Sequence, residues 1–439
     1  MPLQYARFHL FRRPLPMLAW IYRQLWRAAP PLVRRYLRRR ARKNPAYLDH
    51  WGERFGAPHP APVQNPLWIH AVSVGETRAA APLAAALRRR FPDAPLLITQ
   101  MTPTGRAAAE SLFPDAQCRY LPYDKPEYVA RFLAEHRPRL GVLMETEIWP
   151  HLAAACARAN VPLFLANARL SEKSLRGYRK AAALIRPALQ SLRGCYAQTA
   201  ADAGRLKTLG AADPVVCGNT KYDIAPPPEQ LELGAQFRAQ ALGRKVLVCG
   251  STRVYHGQDE AALLLRAWRQ YAVDALLVIV PRHPERFDDV FQTALSLGLR
   301  VQKRSGGENI APDTQVWLGD SMGELFAYYA MADAAFVGGS LVDAGCQNII
   351  EPLSCGVPAL FGFSTYNFAA ACAEAAAAGA ARQVQTPDEW LHAAEAWLAD
   401  DTLRTGYAAN AAAFVARHRG ASENMARRIA ESVTADAVG

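Results

Sequence analysis

The sequence predicts an α/β protein made of two doubly wound domains, each a parallel sheet covered by helices on both faces. Three observations predict it. From residue 67 onward, short apolar runs alternate with longer helical patterns, the rhythm of βαβ units whose strands are buried on both sides. That rhythm pauses once, at 219–234, where Pro226, Pro227 and Pro228 follow one another; successive prolines can neither continue a helix nor sit in a central strand. It then restarts and ends in alanine-rich helices after Phe368. At 439 residues the chain is too long for one typical core and suits two domains of roughly 200 residues each.

Taken in order, residues 1–45 read as a basic amphipathic arm. Residues 1–43 carry twelve Arg and Lys side chains and no acid, so the net charge of +12 belongs to them; the remaining 39 basic residues balance 39 acidic ones. Leu18, Ile21, Tyr22, Leu25 and Trp26 recur at helical spacing, with Arg23 and Arg27 on the opposite face and Trp20 nearby. This pattern predicts a helix lying on an anionic membrane surface; the plainer alternative is a solvated basic helix packed on its own protein. No run of about 18 apolar residues occurs, against a spanning helix, and no cleavage-like site follows a clean apolar segment, against a signal peptide. The neutral body, with no RNP, zinc-finger or helix-turn-helix pattern, excludes nucleic acid as the expected partner.

The N-terminal domain, 46–222, has strands predicted at 67–73, 95–100, 118–121, 140–145, 162–166 and 195–198, with helices such as 78–90 and 105–112 between them. Residues 223–240 form the expected linker. The C-terminal domain, 241–439, has strands at 245–250, 275–280, 299–302, 315–318, 334–337 and 358–361, and its last helix is a candidate to pack back on the N-terminal domain. Ligands of such sheets bind beyond the carboxyl ends of the strands, and two facing domains predict an active site in the cleft between them. The eight cysteines are scattered, with no CxxC pair and no Cys/His cluster, which fits a reducing cytosol and argues against a disulfide framework or a zinc site.

Six polar motifs stand where predicted strands end. In Ser73-Val74-Gly75-Glu76 the glutamate falls in the first turn of a helix. Its plain reading is a carboxylate stabilised by the helix dipole, worth under about 1 kcal/mol; its functional reading is an ionised group able to accept a proton. "METEIWP" puts Glu145 and Glu147 at a strand tip, where negative charge could stabilise a developing positive centre. "GNTKYD" places Lys221 at the start of the linker, as a turn lysine or as the partner of a leaving phosphate. "VPRHPE" holds Arg282 and His283 between Pro281 and Pro284, and arginine suits bidentate binding of phosphate. "GDSMGEL" carries Ser321 and Glu324 as a capping box around Met322 and Gly323. In "FVGGSLVDAGCQNIIEP", Gly338, Gly339 and Ser340 allow close backbone approach to a ligand. A helix start near Gln347 could hold a phosphate, and Asn348 and Glu351 share a helix face, with Glu351 placed to bind ribose hydroxyls. No Walker A sequence and no GxGxxG is present, which lowers NTPase and dehydrogenase readings.

From about residue 30 to the C-terminus the chain resembles the Kdo (3-deoxy-D-manno-octulosonic acid) transferases of Gram-negative lipopolysaccharide synthesis. The resemblance is carried by "HWGERFG", "HAVSVGET", "TQMTPTG", "YLPYD", "METEIWP", "ANARLSEKS", "GNTKYD", "PRHPERF", "GDSMGEL" and "FVGGSLVDAGCQNIIEP". It implies a GT-B glycosyltransferase fold, two Rossmann-like domains with an interdomain cleft. It implies inverting transfer of Kdo from CMP-Kdo to the lipid A precursor lipid IVA, with no metal and no cofactor, at the cytoplasmic side of the inner membrane. Glu76 then matches the general base, and Glu145 and Lys221 match transition-state stabilisers. Pro281, Arg282, Met322, Gly323, Glu324, Asn348, Ile349, Ile350 and Glu351 match segments that contact CMP; His283, Gly339 and Ser340 join them as donor-binding candidates. Two departures stand out. "STRVYHGQDE" is longer than the family's usual stretch, which leaves the contacts of Ser251, Thr252 and Arg253 open, and Arg23 and Arg27 interrupt the N-terminal apolar segment, favouring an interfacial anchor. The alternatives are another GT-B enzyme using a UDP-sugar, or a non-catalytic nucleotide-binding protein.

Overall fold

The structure, a computed structural model, describes residues 17–270 and 275–435. The first sixteen residues of the expected arm, with Arg7, Arg12 and Arg13, lie outside the described residues. The chain forms two compact units, Met1–Asp223 with Gly420–Gly439, and Ile224–Arg419.

The first unit is a seven-stranded sheet of β1 (Leu67–His70), β2 (Leu96–Gln100), β3 (Gln117–Tyr120), β4 (Leu140–Met144), β5 (Leu163–Ala168), β6 (Gly194–Ala197) and β7 (Val215–Val216). Their order is β3-β2-β1-β4-β5-β6-β7, and every pairing is parallel. β1, β2, β4 and β5 are buried along their whole length, as strands covered on both faces must be, so they read as apolar runs without alternation. Proline opens the helices at 103, 126 and 150, where its missing N–H is no loss. The strand order reverses between β1 and β4, the switch point at which such sheets bind ligands.

Helix α1 (Met17–Ala41) belongs to this unit and divides the expected apolar face in two. Tyr22 donates a hydrogen bond to Asp124 at 2.9 Å, Trp26 stacks on Tyr123, and Leu37 is buried. Met17, Trp20, Ile21, Leu25, Leu32 and Tyr36 remain exposed. One stripe thus packs on its own protein and a second faces outward. Among the described residues no helix is long and apolar enough to cross a membrane. Helix α2 (Val74–Arg90) follows β1. Against it lies Ala421–Ala435, whose Met425, Ala426 and Ile429 enter the same core as Ile69, Leu83, Leu87 and Ile98. The Asp223 carboxylate accepts the amides of Gly420 and Ser422 at 2.6 Å each and so satisfies donors at the start of that last helix.

The second unit contains β8 (Lys245–Thr252), a two-stranded hairpin of β9 (Val254–Tyr255) and β10 (Gln258–Asp259), then β11 (Ala275–Pro281), β12 (Val301–Lys303), β13 (Val316–Leu318), β14 (Ala334–Val337), β15 (Ala359–Phe361) and β16 (Ala381–Gln383). Seven of them form a parallel sheet in the order β12-β13-β11-β8-β14-β15-β16. Here the reversal falls between β8 and β14. The stretch 223–240, expected as linker, is largely helical: Pro228 opens the helix Pro228–Gln240, which packs on Leu325–Ala330 of the same unit. The last of three prolines is a helix start, because its fixed φ suits the first helical position.

Candidate functional site

In the first unit the candidate residues gather at the switch point. β1 ends at His70, and Ser73 caps α2, its hydroxyl accepting the Glu76 amide at 3.4 Å. The Glu76 side chain folds back: Oε2 accepts the Val72 amide at 2.8 Å and Oε1 the Ser73 hydroxyl at 3.1 Å. This is capping chemistry, yet it does not fix the carboxylate charge. Burial first, then the neighbouring charges of Glu145 and Glu147, outweigh these hydrogen bonds and raise the Glu76 pKa to about 7. The expectation of an ionised Glu76 held by the helix terminus is therefore corrected. A dipole contribution of about 1 kcal/mol or less loses to desolvation and two like charges.

Glu145 follows β4 with φ +56°, a left-handed conformation that costs a non-glycine residue about 1–2 kcal/mol. Its Oε1 lies 3.0 Å from Lys221 Nζ, both side chains less than a fifth exposed. Lys221 is supported in turn: its amide donates to Asn219, and the Thr220 amide donates to the side chain of Asn167, the penultimate residue of β5, at φ +51°. Lys221 and Glu145 thus form a half-buried ion pair. Glu147 accepts the Trp149 indole N–H at 2.7 Å; its carboxyl is pushed above the usual range by burial and by Glu145. Trp149 meets the ring of His70 edge-on. His70 is fully buried, with its pKa lowered to about 3 by desolvation, so it is a neutral wall of the site. The cluster offers one carboxyl poised near neutrality beside an ion pair, suited to taking a proton from an alcohol as a bond forms.

In the second unit the sequence-predicted donor residues lie at or beyond the ends of β11, β13 and β14. Pro281 ends β11 and is buried, whereas Arg282 is exposed, its amide tied to Thr252 O at 3.0 Å. His283 is half-buried; burial, then Arg253 and Arg282, hold its pKa below the usual imidazole value. Met322 and Gly323 are exposed in the turn after β13. Ser321 donates to Glu324 at 2.6 Å, but the helix starts at Leu325, so the capping pair closes the turn before it. Two expectations need correction. The amides of Gly339 and Ser340 are taken by the buried carboxylate of Glu260, and the Ser340 hydroxyl donates to Val337 O, so this loop does not present its backbone to a ligand. The helix expected near Gln347 is the five-residue turn Ile350–Ser354, with its Ile350 amide bonded to Asn348 Oδ1 and with Ile349 and Ile350 in the core. Asn348 and Glu351 remain half-buried polar groups there. Among the described residues no group of three His, Cys, Asp or Glu side chains is arranged to hold a metal ion.

Sequence reasoning did not single out Glu260, His70 or Asn167. An acid beside a helix start, a histidine ending an apolar run and an asparagine in "ANARL" are ordinary in sequence; only the fold shows what they touch.

The family model described as 3-deoxy-D-manno-octulosonic-acid transferase (kdotransferase) matches residues 49–224. A 3-deoxy-D-manno-octulosonic acid transferase of Bordetella pertussis is 41% identical over 417 residues, covering 92% of this chain and 96% of that one. Its namesake from Haemophilus influenzae is 36% identical, covering 80% and 84%. Among solved structures, a glycosyltransferase from Rickettsia africae aligns with TM-score 0.59 at 11% identity, over 84% of this chain and 99% of that one. UDP-GlcNAc 2-epimerase from Neisseria meningitidis aligns with TM-score 0.56 at 15% identity, over 84% and 99%. These two likenesses concern the fold, which is GT-B.

Proposed function

Because the chain belongs to the 3-deoxy-D-manno-octulosonic acid transferase family and is therefore a glycosyltransferase, we propose that it transfers Kdo from CMP-Kdo to the lipid A precursor lipid IVA, with inversion and without a metal. The observation that carries this reading is the Glu76 carboxyl at the β1–β4 switch point, raised to about 7 beside the Glu145–Lys221 pair. An acceptor hydroxyl attacking the anomeric carbon of Kdo loses its proton to Glu76 as the bond to CMP breaks. Positive charge developing on the sugar is stabilised by Glu145, whose position Lys221 holds. Arg282, Met322–Glu324 and Asn348–Glu351 are the groups proposed to receive the nucleotide, and Arg282 balances the charge of the departing phosphate.

We place the acceptor's acyl chains and phosphates at a bilayer. The exposed apolar stripe of α1, with Arg23, Arg27, Arg34, Arg35, Arg38 and Arg39 on the same helix, supports a helix lying on the anionic cytoplasmic face of the inner membrane. Incubation with CMP-Kdo and lipid IVA, followed by mass spectrometry, tests donor and acceptor together. The expected result is a lipid product heavier by one or more Kdo residues. Turnover with a UDP-sugar instead, or nucleotide binding without turnover, would favour the other readings.

A further inference from the structure

Glu260 opens the helix Glu260–Trp268, is 0% exposed, and has no part in the chemistry above. Its Oε1 accepts the amides of Ser340 at 3.0 Å and Leu341 at 2.9 Å; its Oε2 accepts those of Gly339 at 2.6 Å and Arg253 at 3.1 Å. The Glu260 amide returns a hydrogen bond to Arg253 O at 3.0 Å. Three consecutive amides from the loop after β14 and one from the exit of β8 therefore converge on one carboxyl group. Consecutive amides of this kind form a cradle for an anion, and here the chain fills it with its own carboxyl group, whose pKa burial raises to about 7 against the pull of the four amides.

The clamped loop is tight. Gly339 has φ +73°, and a Cβ on Gly338 would lie 2.4 Å from the carbonyl oxygen of Ser251. The Ser340 hydroxyl accepts the Gly362 amide at 2.8 Å, fastening the loop to the exit of β15. Arg253, held at its own amide by Glu260, runs its stem beside Gly339, with Cδ 3.4 Å from where a Cβ would stand. Its Nε is buried and has no hydrogen-bond partner among the described residues. A buried guanidinium N–H left without an acceptor is costly, and it is suited to an anionic oxygen.

We propose that Glu260 is a positioning residue of the donor site: by filling the amide cradle of Gly339, Ser340 and Leu341 it fixes the loop and holds Arg253, which meets the anionic part of the donor nucleotide with its side chain. This rests on the reading of the second unit as the CMP-sugar site. The backbone cradle, once occupied, cannot serve the ligand, so recognition of negative charge passes to arginine. The hairpin β9–β10 begins directly after Arg253.

The test uses the full chain, with CMP as the probe for binding and CMP-Kdo with lipid IVA for kinetics. Glu260→Gln is expected to weaken CMP binding and raise the donor KM about tenfold or more, with the acceptor KM changed by less than about twofold, since the acceptor cluster sits on other strands. Glu260→Asp recovers most of the loss. Arg253→Ala weakens CMP comparably, and adding Glu260→Gln to it costs little more, because the glutamate acts through the arginine. In the wild-type protein, hydrogen exchange at Gly339, Ser340 and Leu341 is expected to be slow before any ligand is added. Rapid exchange there overturns the proposal whether or not the variants fold. A folded Glu260→Gln protein that binds CMP like the wild type also overturns it, as do losses that multiply in the double variant. Wild-type protein that binds no CMP would sink the donor reading and this proposal together, whereas CMP binding insensitive to residue 260 would sink this proposal alone.

Discussion

At neutral pH the Glu76 carboxyl divides between its two forms, because burial and the charges of Glu145 and Glu147 oppose the hydrogen bonds from Val72 and Ser73. A base works only when unprotonated, so kcat/KM is expected to fall as pH drops through about 7, a limb readable from a pH–rate profile. Glu147→Gln removes one of the like charges and is expected to move that limb to lower pH. Glu76→Gln should lower kcat by roughly 10²–10⁴-fold while CMP binding, measured by calorimetry, is retained. The same group has a stability signature of opposite sense. Its folded pKa lies above its ordinary value, so the folded protein holds the proton more firmly; that contribution is full below about 4.5 and is lost as pH rises through about 7. Glu76→Gln is therefore expected to melt higher than wild type above pH 7 in scanning calorimetry. The position of Glu76 was legible in the sequence from a strand, a Ser cap and a glutamate three residues on. Its protonation was not, because Glu145 and Glu147 are distant along the chain and burial has no local signature.

At the scale of elements, apolar runs located the central strands well, since strands buried on both faces carry little else. Edge strands were harder: Val215–Val216 and Ala381–Gln383 are too short and too polar to stand out. The hairpin β9–β10 turns at His256 and Gly257, both with positive φ, a primed turn that reads in sequence only as extra length. Gly338 shows how closely neighbouring strand exits approach: Gly338→Ala would force a methyl group against the Ser251 backbone. The expected outcome is a loss of about 1–3 kcal/mol in a denaturant melt, with CMP binding falling as well. On α1 the two apolar stripes separate experimentally. Leu25→Glu with Leu32→Glu alters only exposed positions, so the fold should persist while binding to anionic phosphatidylglycerol vesicles drops about tenfold or more. Equal vesicle binding by this variant would refute the interfacial role. Sequence periodicity identified the amphipathic helix, but it could not say that Tyr22 and Trp26 would be spent on Asp124 and Tyr123.

At the scale of the whole molecule, charge and chain connectivity matter most. The excess of twelve cations lies in the first 43 residues, so association with anionic surfaces should weaken with added salt and be lost when that segment is deleted. The two-domain α/β organisation was legible from one interruption in the βαβ rhythm. The return of the last helix to the first unit was expected as a candidate packing and is what the structure shows; the point of return was harder to read, because "RHRGASEN" around Gly420 breaks a helix without announcing a change of partner. Removing residues 420–439 would uncover the core side chains that Met425, Ala426 and Ile429 cover and leave the Asp223 carboxylate without its two amides. Such a truncation is expected to expose the first unit to proteolysis while the 224–419 unit resists, which mass spectrometry of the fragments would show.

That return also sets the order of events during synthesis. Domains ordinarily complete themselves in the order they leave the ribosome, but here the earlier-made unit lacks a piece of its interior until residues 421–435 have been made. Residues 224–419 can close around a finished core while the nascent amino-terminal half is still waiting, its apolar groove open between Ile69, Leu83 and Leu87. The interval before residues 421–435 emerge is when this protein most needs a chaperone.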